Sequence, residues 1–457
     1  MQHRPTSARV PDPGIRQLFT REARWQAWLD VEAALARAEA ELDMIPADAA
    51  AEIANHCRLE LLDIERIEAS LAVTAHPLVP LIWELDRVLG DEVGGYVHWG
   101  ATTQNITQTG DILQLRHAHE IILAHLRVVL KLLADLADRT ADDPIAGRTH
   151  GQHAVPATFG YKVGAWIDEL CRHVERLRQV EPRIFVAMLG GAAGTLASFG
   201  TPGLELQRRM AVHLDLAPMP VPGRTSHDHH AEYAAILAML AATCRKIADE
   251  TYTLMKPEFA EIEEPVPPGT VGSSTMPQKR NPKLSQDIRA GAAQVTALFP
   301  LALDAMRTEH EADGSTSVMI ERVISGSVEL VGDILARMIL LFEGIQVDPE
   351  RMRSNLDLSG GLIMSERIML ALGEKVGRQR AHDIVYEHAQ ASAVGGSEFR
   401  ELLVHDPEVR AHLSEDELDD LLDPAGYTGA CATIARAQAE RARKLAVSLP
   451  ASNAENA

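Results

Sequence analysis

Apolar residues recur at helical spacing over unusually long stretches of this chain. Between residues 112 and 138, leucine, isoleucine and valine side chains form one stripe at intervals of three or four residues. The same spacing predicts further helices over 21–42, 160–180, 230–255, 283–307 and 317–342. Most of these helices would be well above the usual mean length. The sequence therefore predicts an all-α fold organised around a long helical bundle.

Several of the predicted helices are apolar on more than one face. One subunit of 457 residues cannot cover all of these faces by itself, so we expect the chain to assemble with other copies. The length also allows two or three domains, or one large elongated helical assembly.

The composition excludes several classes of protein. A formal net charge of −21 argues against nucleic-acid binding, which needs a basic surface. No apolar run approaches the roughly 20 residues of a membrane span, and the N-terminus lacks an apolar signal-peptide core. Four scattered cysteines without Cys-x-x-Cys spacing suggest neither structural zinc nor disulfides, and Cys171 and Cys244 are expected as buried free thiols. A cytoplasmic location fits these features.

The segment 269–284 is a polar loop inside a chain otherwise built for helices. It holds Ser273, Ser274, Lys279 and Asn281 within nine residues. Proline and glycine residues precede and interrupt it and break any helix: Pro265, Pro267, Pro268, Gly269, Gly272, Pro277 and Pro282. Loops with converging polar groups commonly carry binding and chemistry. The alternative, a plain Ser/Gly connector, gives no reason for the full string of residues.

The string from Gly272 to Pro282 resembles the signature loop of the fumarase/aspartase superfamily, Gly-Ser-Ser-x-Met-Pro-x-Lys-x-Asn-Pro, at every fixed position. Two further segments are similar to that family: His-Trp-Gly-Ala-Thr-Thr-Gln-Asn at 98–105 and Gly-Arg-Thr-His-Gly-Gln-His at 147–153. The resemblance covers nearly the whole chain. It implies a three-domain all-α fold and a homotetramer, in which long helices of four subunits form a twenty-helix core and three chains build each active site.

Applied to this chain, the resemblance divides it into three segments. An N-terminal helical domain, 1–110, would hold the first substrate-binding segment. A central helical bundle, 111–350, would hold the Thr-His segment and the signature loop. A C-terminal helical domain, 351–457, would complete the fold.

The family reaction removes a proton from the carbon next to a carboxylate and expels a group from the adjacent carbon. Charge then builds on that carboxylate, so the protein must supply hydrogen-bond donors and a cation there. The resemblance implies that Ser273 is the base. Lys279 offers the cation and Asn281 offers donors for the substrate. Ser274 fits either substrate binding or a turn-stabilising hydroxyl.

The Thr-His pair of the family corresponds to Thr149 and His150. The resemblance places His150 as, or close to, the general acid, and an imidazole that titrates near neutrality suits that task. Thr149 and Gln152 of the same segment are expected to bind substrate. An ordinary surface histidine is the alternative, since the chain has nineteen histidines.

Thr102 and Thr103 correspond to the paired hydroxyl residues with which the family binds a substrate carboxylate. Hydroxyls and backbone amides at a helix start can bind an anion, although the same residues also cap helices.

His76 lies where related adenylosuccinate lyases carry a functional histidine, but it also fits an ordinary exposed histidine. Arg322 aligns with a substrate-binding arginine of those enzymes.

The His-Asp-His-His run at 227–230 could suggest a metal site, but it resembles a family helix start. Because the reaction needs no metal, we expect no metal site and no cofactor.

Two branches of the superfamily compete. The segments 29–40 and 190–198 resemble 3-carboxy-cis,cis-muconate cycloisomerases, but those enzymes typically lack the histidine retained here as His150. The 147–153 segment resembles adenylosuccinate lyases, but Ala312 stands where they carry an arginine, so a nucleotide phosphate would be poorly held.

We therefore expect a carbon–nitrogen lyase that releases fumarate from an N-substituted aspartate or similar succinyl compound, a small di- or tricarboxylate. A 3-carboxy-cis,cis-muconate cycloisomerase and a purine-pathway adenylosuccinate lyase are the alternatives. A catalytically silent structural homologue predicts damaged motifs, whereas the motif residues are intact. The leaving amine stays open.

Overall fold

The computed structural model describes Met1 and residues 4–451, and within them the chain is almost entirely helical. Residues 2–3 of the predicted first segment and 452–457 of the last lie outside this described part. The all-α prediction is confirmed. Four helices form the N-terminal region: α1 Arg21–Ala40, α2 Ala47–His56, α3 Ile64–Thr74 and α4 Val79–Leu89.

Long helices dominate the middle of the chain, as the periodicity predicted. The helices of this region are α5 Thr103–Arg139, α6 Phe159–Ile184, α7 Gly203–His213, α8 Asp228–Leu254, α9 Lys283–Ala305 and α10 Gly314–Gly344. Helix α5 begins at Thr103 rather than near residue 112. The apolar stripe missed these first turns because several of their residues are polar and contribute nothing to it.

Burial of the apolar stripes holds the long helices together. Ile122, Leu126 and Leu133 of α5 are fully buried in a core shared with the other long helices. The start of α6 packs tightly on the end of α5, because a Cβ atom on Gly160 would lie 2.6 Å from the carbonyl oxygen of Ala137. Such close approach needs glycine at this position.

The C-terminal region is a set of shorter helices: α11 Pro349–Leu356, α12 Ser365–Val376, α13 Arg378–Gly395, α14 Phe399–His405, α15 Pro407–Arg410, α16 Glu415–Leu422 and α17 Cys431–Val447. Helices α12 to α16 surround a second apolar cluster that includes Phe399 and Leu403. The last helix, α17, returns to pack on α5 and α6. The division at 110 and 350 stays a prediction.

Short strands join the helices at three places in the described chain. Strands β1 Pro144–Thr149 and β2 Gln152–Thr158 form an antiparallel hairpin. Strands β3 Val186–Ala187 and β4 Ala217–Pro218 pair in parallel, and β5 Ile262–Glu263 pairs antiparallel with β6 Gln346–Val347.

Two further properties concern the whole described chain. Cys171 and Cys244 are buried free thiols, as predicted. No helix among the described residues is long and apolar enough to cross a membrane.

Candidate active site

The predicted polar loop is present between β5 and α9, without helix or strand from residue 264 to residue 282. Within it, the Oγ atom of Ser273 accepts hydrogen bonds from the backbone N–H groups of Thr275 at 3.2 Å and Met276 at 3.0 Å. Two fixed donors on one hydroxyl oxygen favour negative charge at that oxygen. The side chains of Ser274 and Lys279 are exposed beside it.

The two ends of this loop are drawn together by a few polar contacts. Asn281 donates from Nδ2 to the carbonyl oxygen of Gly272 at 2.6 Å, and Lys283 donates from Nζ to that of Val271 at 2.8 Å. A Cβ atom on Gly272 would lie 1.7 Å from the carbonyl oxygen of Lys279, so only glycine fits there. The motif asparagine and glycine therefore shape the loop, whatever else they contact.

Two glutamates, Glu263 of β5 and Glu264 directly after it, make contacts at the two ends of the loop. Arg280 donates from Nη1 to both carboxylate oxygens of Glu263 at 2.8 and 2.9 Å. Buried Glu264 accepts the N–H groups of Leu284 and Ser285 at 3.0 and 2.7 Å, at the start of α9. Burial raises the pKa of Glu264, although these hydrogen bonds act in the opposite direction.

The motif segment 98–105 runs into the start of α5, where Thr102 is the N-terminal capping residue. Its backbone N–H donates to Oδ1 of Asn105 at 3.1 Å, and that same atom accepts the N–H of Gly191 at 3.1 Å. Asn105 is fully buried. The half-buried Thr103 therefore lies at a helix start that the buried Asn105 side chain holds in place.

His76 lies beside this helix start. Nδ1 of His76 accepts the N–H groups of Leu78 and Val79 at 3.3 and 3.0 Å. A ring nitrogen that accepts cannot carry the proton, so the proton lies on Nε2. Nε2 faces Oγ1 of Thr103 at 3.4 Å. His76 is half-buried, so it is not an ordinary exposed histidine.

Sequence reasoning missed the carboxylate that supports this segment. Nδ1 of His98 lies 2.7 Å from Oε1 of Glu32, which is buried in α1. Burial acts to lower the pKa of His98, but the charge and hydrogen bond of Glu32 outweigh it and raise this pKa. Glu32, which stands between Val31 and three apolar residues at 33–35, was the available signal, because buried carboxylates are normally paired.

The Thr-His pair lies at the tip of the β1–β2 hairpin: Thr149 ends β1, and His150 is the first residue of the two-residue turn. Thr149 pairs with Gln152 across it, and the residues between, His150 and Gly151, have φ values of 52° and 75°. Two successive left-handed residues define the tight turn that matches the twist of a hairpin. The side chains of Thr149, His150 and Gln152 are exposed at the tip.

Arg148, in β1 next to Thr149, makes a contact that the sequence did not predict. Its guanidinium donates to both oxygens of Glu261 at 2.6 and 3.1 Å. The two residues are 113 positions apart, and no local pattern pairs them.

Direct polar contacts between the motif segments are absent among the described residues. Among the described residues, the side chains of Thr102, Thr103, Thr149, His150 and Ser273 make no hydrogen bond or ion pair to one another. Arg322 lies on an exposed face of α10, beside Gly326.

The histidine run is buried at the start of α8. The rings of His229 and His230 have centroids 4.1 Å apart, and burial lowers the pKa of His227 to about 4. Across residues 4–451, no group of three or more His, Cys, Asp or Glu side chains is arranged to hold a metal ion.

Comparison with known proteins identifies the family to which these segments belong. A family model described as "Lyase" matches residues 7–297, which is more than half of the chain. The chain belongs to the fumarase/aspartase superfamily. A model described as "Adenylosuccinate lyase C-terminus" matches residues 361–437.

Relatives within the superfamily carry different activities. The N-acetyl-S-(2-succino)cysteine lyase of Enterococcus italicus is 40% identical over 418 residues, 92% of each chain. The 3-carboxy-cis,cis-muconate cycloisomerase of Pseudomonas aeruginosa is 40% identical over 431 residues, 94% of this chain and 93% of the other. The solved structure of a fumarate lyase from Mesorhizobium sp. BNC1 superposes with a TM-score of 0.88 at 36% identity, covering 94% of this chain and 98% of that one. The superfamily relationship inferred from the motifs is confirmed.

Proposed function

We propose that this chain is a lyase that eliminates a group from carbon 2 of a 2-substituted succinate and releases fumarate. The observation that carries the proposal is the pair of backbone N–H groups on Oγ of Ser273. A neutral serine is a poor base, and its alkoxide is usable only where nearby donors stabilise it. The signature loop supplies those donors from its own backbone.

In this reaction the Ser273 oxygen takes a proton from carbon 3 of the substrate. The electron pair left behind spreads onto the adjacent carboxylate, which becomes a dianion. Lys279, exposed on the same loop, is the cation proposed to stabilise it. The carbon 2–heteroatom bond then breaks, its electrons leave with the heteroatom, and the double bond of fumarate forms.

The other motif residues bind the substrate and the leaving group. Thr102 and Thr103, at the positive end of the α5 dipole, suit the second carboxylate. His150 is proposed to protonate the leaving heteroatom, with Thr149 and Gln152 beside it on the hairpin. Because no hydrogen bond or ion pair joins these motif side chains within the described chain, we propose that sites form between three subunits of a homotetramer.

The leaving atom is proposed to be nitrogen or sulfur. An amine leaves poorly without a proton, so an acid such as His150 favours a carbon–nitrogen substrate. A thiol, with a pKa of about 8.5, leaves more readily as its anion. The 40% identity to an enzyme named for S-(2-succino)cysteine supports sulfur as the second candidate.

The test is an ultraviolet assay for fumarate release from a small panel of substrates. The panel contains N-acetyl-S-(2-succino)cysteine, adenylosuccinate, iminodisuccinate and argininosuccinate, with lactonisation of 3-carboxy-cis,cis-muconate measured in parallel. Fumarate from any member supports the proposal and names the leaving group. Activity on the muconate alone would replace it with the cycloisomerase function, which the second relative at 40% identity supports.

A further inference from the structure

We propose that Arg148 and Glu261 are a positioning pair that holds the hairpin tip, with Thr149 and His150, in the geometry that proton transfer requires. The inference rests on the proposed function, since it assumes that His150 serves the leaving group. Neither residue belongs to the family motif positions assigned above to substrate. Their role is instead to fix the backbone from which His150 projects.

The pair has the geometry of a rigid clamp. Nη2 of Arg148 donates to Oε1 of Glu261 at 2.6 Å, and Nη1 donates to Oε2 at 3.1 Å. Two parallel hydrogen bonds between planar groups define both distance and orientation. The Glu261 side chain is fully buried and that of Arg148 is 17% exposed, so solvent screens the contact little.

Glu261 is itself held from several sides. Nδ2 of Asn355, on α11, donates to its Oε1 at 2.8 Å. Its backbone N–H donates to the carbonyl oxygen of Leu254, at the end of α8, and its own carbonyl accepts the N–H of Asp348. The Phe259 ring lies 4.9 Å from the Arg148 guanidinium. The carboxylate is therefore a fixed point relative to the bundle.

The hairpin tip has backbone pairing of its own, Thr149 with Gln152 and Arg148 with His153, but this pairing joins the two strands to each other and not to the bundle. Thr149 and His150 are exposed, and His150 adopts a left-handed φ of 52° that non-glycine residues rarely take. No other ion pair in the described chain involves a residue of β1 or β2. Arg148 lies in β1, two residues before the turn residue His150, and its ion pair with Glu261 is the charged contact that anchors the tip.

A purely structural role is a weaker explanation for this pair. Buried ion pairs often contribute little net stability, because desolvation offsets the attraction between the charges. What a bidentate pair contributes reliably is geometry. Displacement of a catalytic group by about 1 Å costs on the order of 100-fold in rate.

The test compares Arg148→Met, Arg148→Lys and a matched control, Arg436→Lys. The control alters the exposed ion pair of Arg436 with Asp142, just before the same hairpin. We expect Arg148→Met to lower kcat about 100-fold with KM changed less than about threefold, because misplacement of the acid acts on the transition state. Arg148→Lys keeps the positive charge but cannot make two parallel hydrogen bonds, so its kcat should lie between those of Arg148→Met and wild type. The kcat of the control should equal that of wild type. An unchanged kcat in folded Arg148→Met overturns the proposal.

A second measurement is independent of turnover. Hydrogen exchange of the 144–158 hairpin, followed by mass spectrometry, should become faster in Arg148→Lys and stay at the wild-type rate in the control. Unchanged exchange overturns the positioning role, even where wild type releases no fumarate. Faster exchange in a chain that releases no fumarate supports the clamp while rejecting the proposed function. Arg148→Lys also serves where Arg148→Met does not fold.

Discussion

The helix start at 98–105 and the loop at 269–284 both carry family motifs, but the chain holds them in opposite ways. The helix start rests on buried partners: Asn105 accepts two backbone N–H groups below it, and Glu32 holds His98. The loop lies at the surface, and Ser273 is bonded to the loop's own backbone. Loss of the buried partners of the helix start should therefore lower stability, whereas loss of the Ser273 hydroxyl in the loop should affect turnover alone.

The largest expected effect is on the loop side of this comparison. Ser273→Ala removes the proposed base, and we expect kcat to fall by roughly 10² to 10⁴, the usual contribution of a general base. The thermal unfolding temperature should stay at the wild-type value, because the loop adds little to the core. Steady-state kinetics and calorimetry on the same preparation measure both.

Ser274→Ala is the matched control for this variant, since it removes a neighbouring exposed hydroxyl of the same loop. It should retain far more activity than Ser273→Ala. Similar turnover in the two variants would remove Ser273 as the base.

An intermediate effect is expected at the helix start. Asn105→Ala leaves the buried N–H group of Gly191 and the partly buried N–H group of Thr102 without their acceptor. An unsatisfied buried donor costs about 1–3 kcal/mol, so the free energy of unfolding should fall by at least that amount. Urea denaturation of Asn105→Ala measures the loss.

Asn281→Ala provides the contrast from the loop, where the lost hydrogen bond to Gly272 is partly exposed. We expect its unfolding midpoint in urea to stay close to that of wild type. If the two asparagine variants lose equal stability, the distinction between a supported helix start and a surface loop is wrong.

A further effect concerns pH. Burial, and then the charge of Glu32, raises the pKa of Glu39 to about 9, whereas an unfolded glutamate ionises near a pKa of about 4.3. The folded chain therefore keeps a proton that the unfolded chain has lost. The stability from this group is complete below about pH 4 and is lost as pH rises toward 9.

Glu39→Gln removes this titration. The difference in unfolding temperature between pH 6 and pH 9 should be smaller in the variant than in wild type. Calorimetry at the two pH values checks this, and an unchanged difference would show that Glu39 ionises normally in the fold.

Much of the fold was predictable because helical periodicity is a local property. The long helices were recognised from apolar spacing, and the loop was recognised from proline, glycine and polar residues. The start of α5 was misplaced because a capped, polar first turn contributes nothing to an apolar stripe. The motif residues, including Ser273 and His150, were found from resemblance, and their chemical roles stay predictions.

The sequence by itself determined the helical class, the family and the residues that carry its motifs, because each depends on neighbours along the chain. Tertiary structure alone decided the partners of those residues. Arg148 is hydrogen-bonded to Glu261, and His98 to Glu32, across long separations in sequence. Such pairs form because a buried charge needs an opposite charge or hydrogen-bond partner, and only the folded backbone decides which partner is within reach.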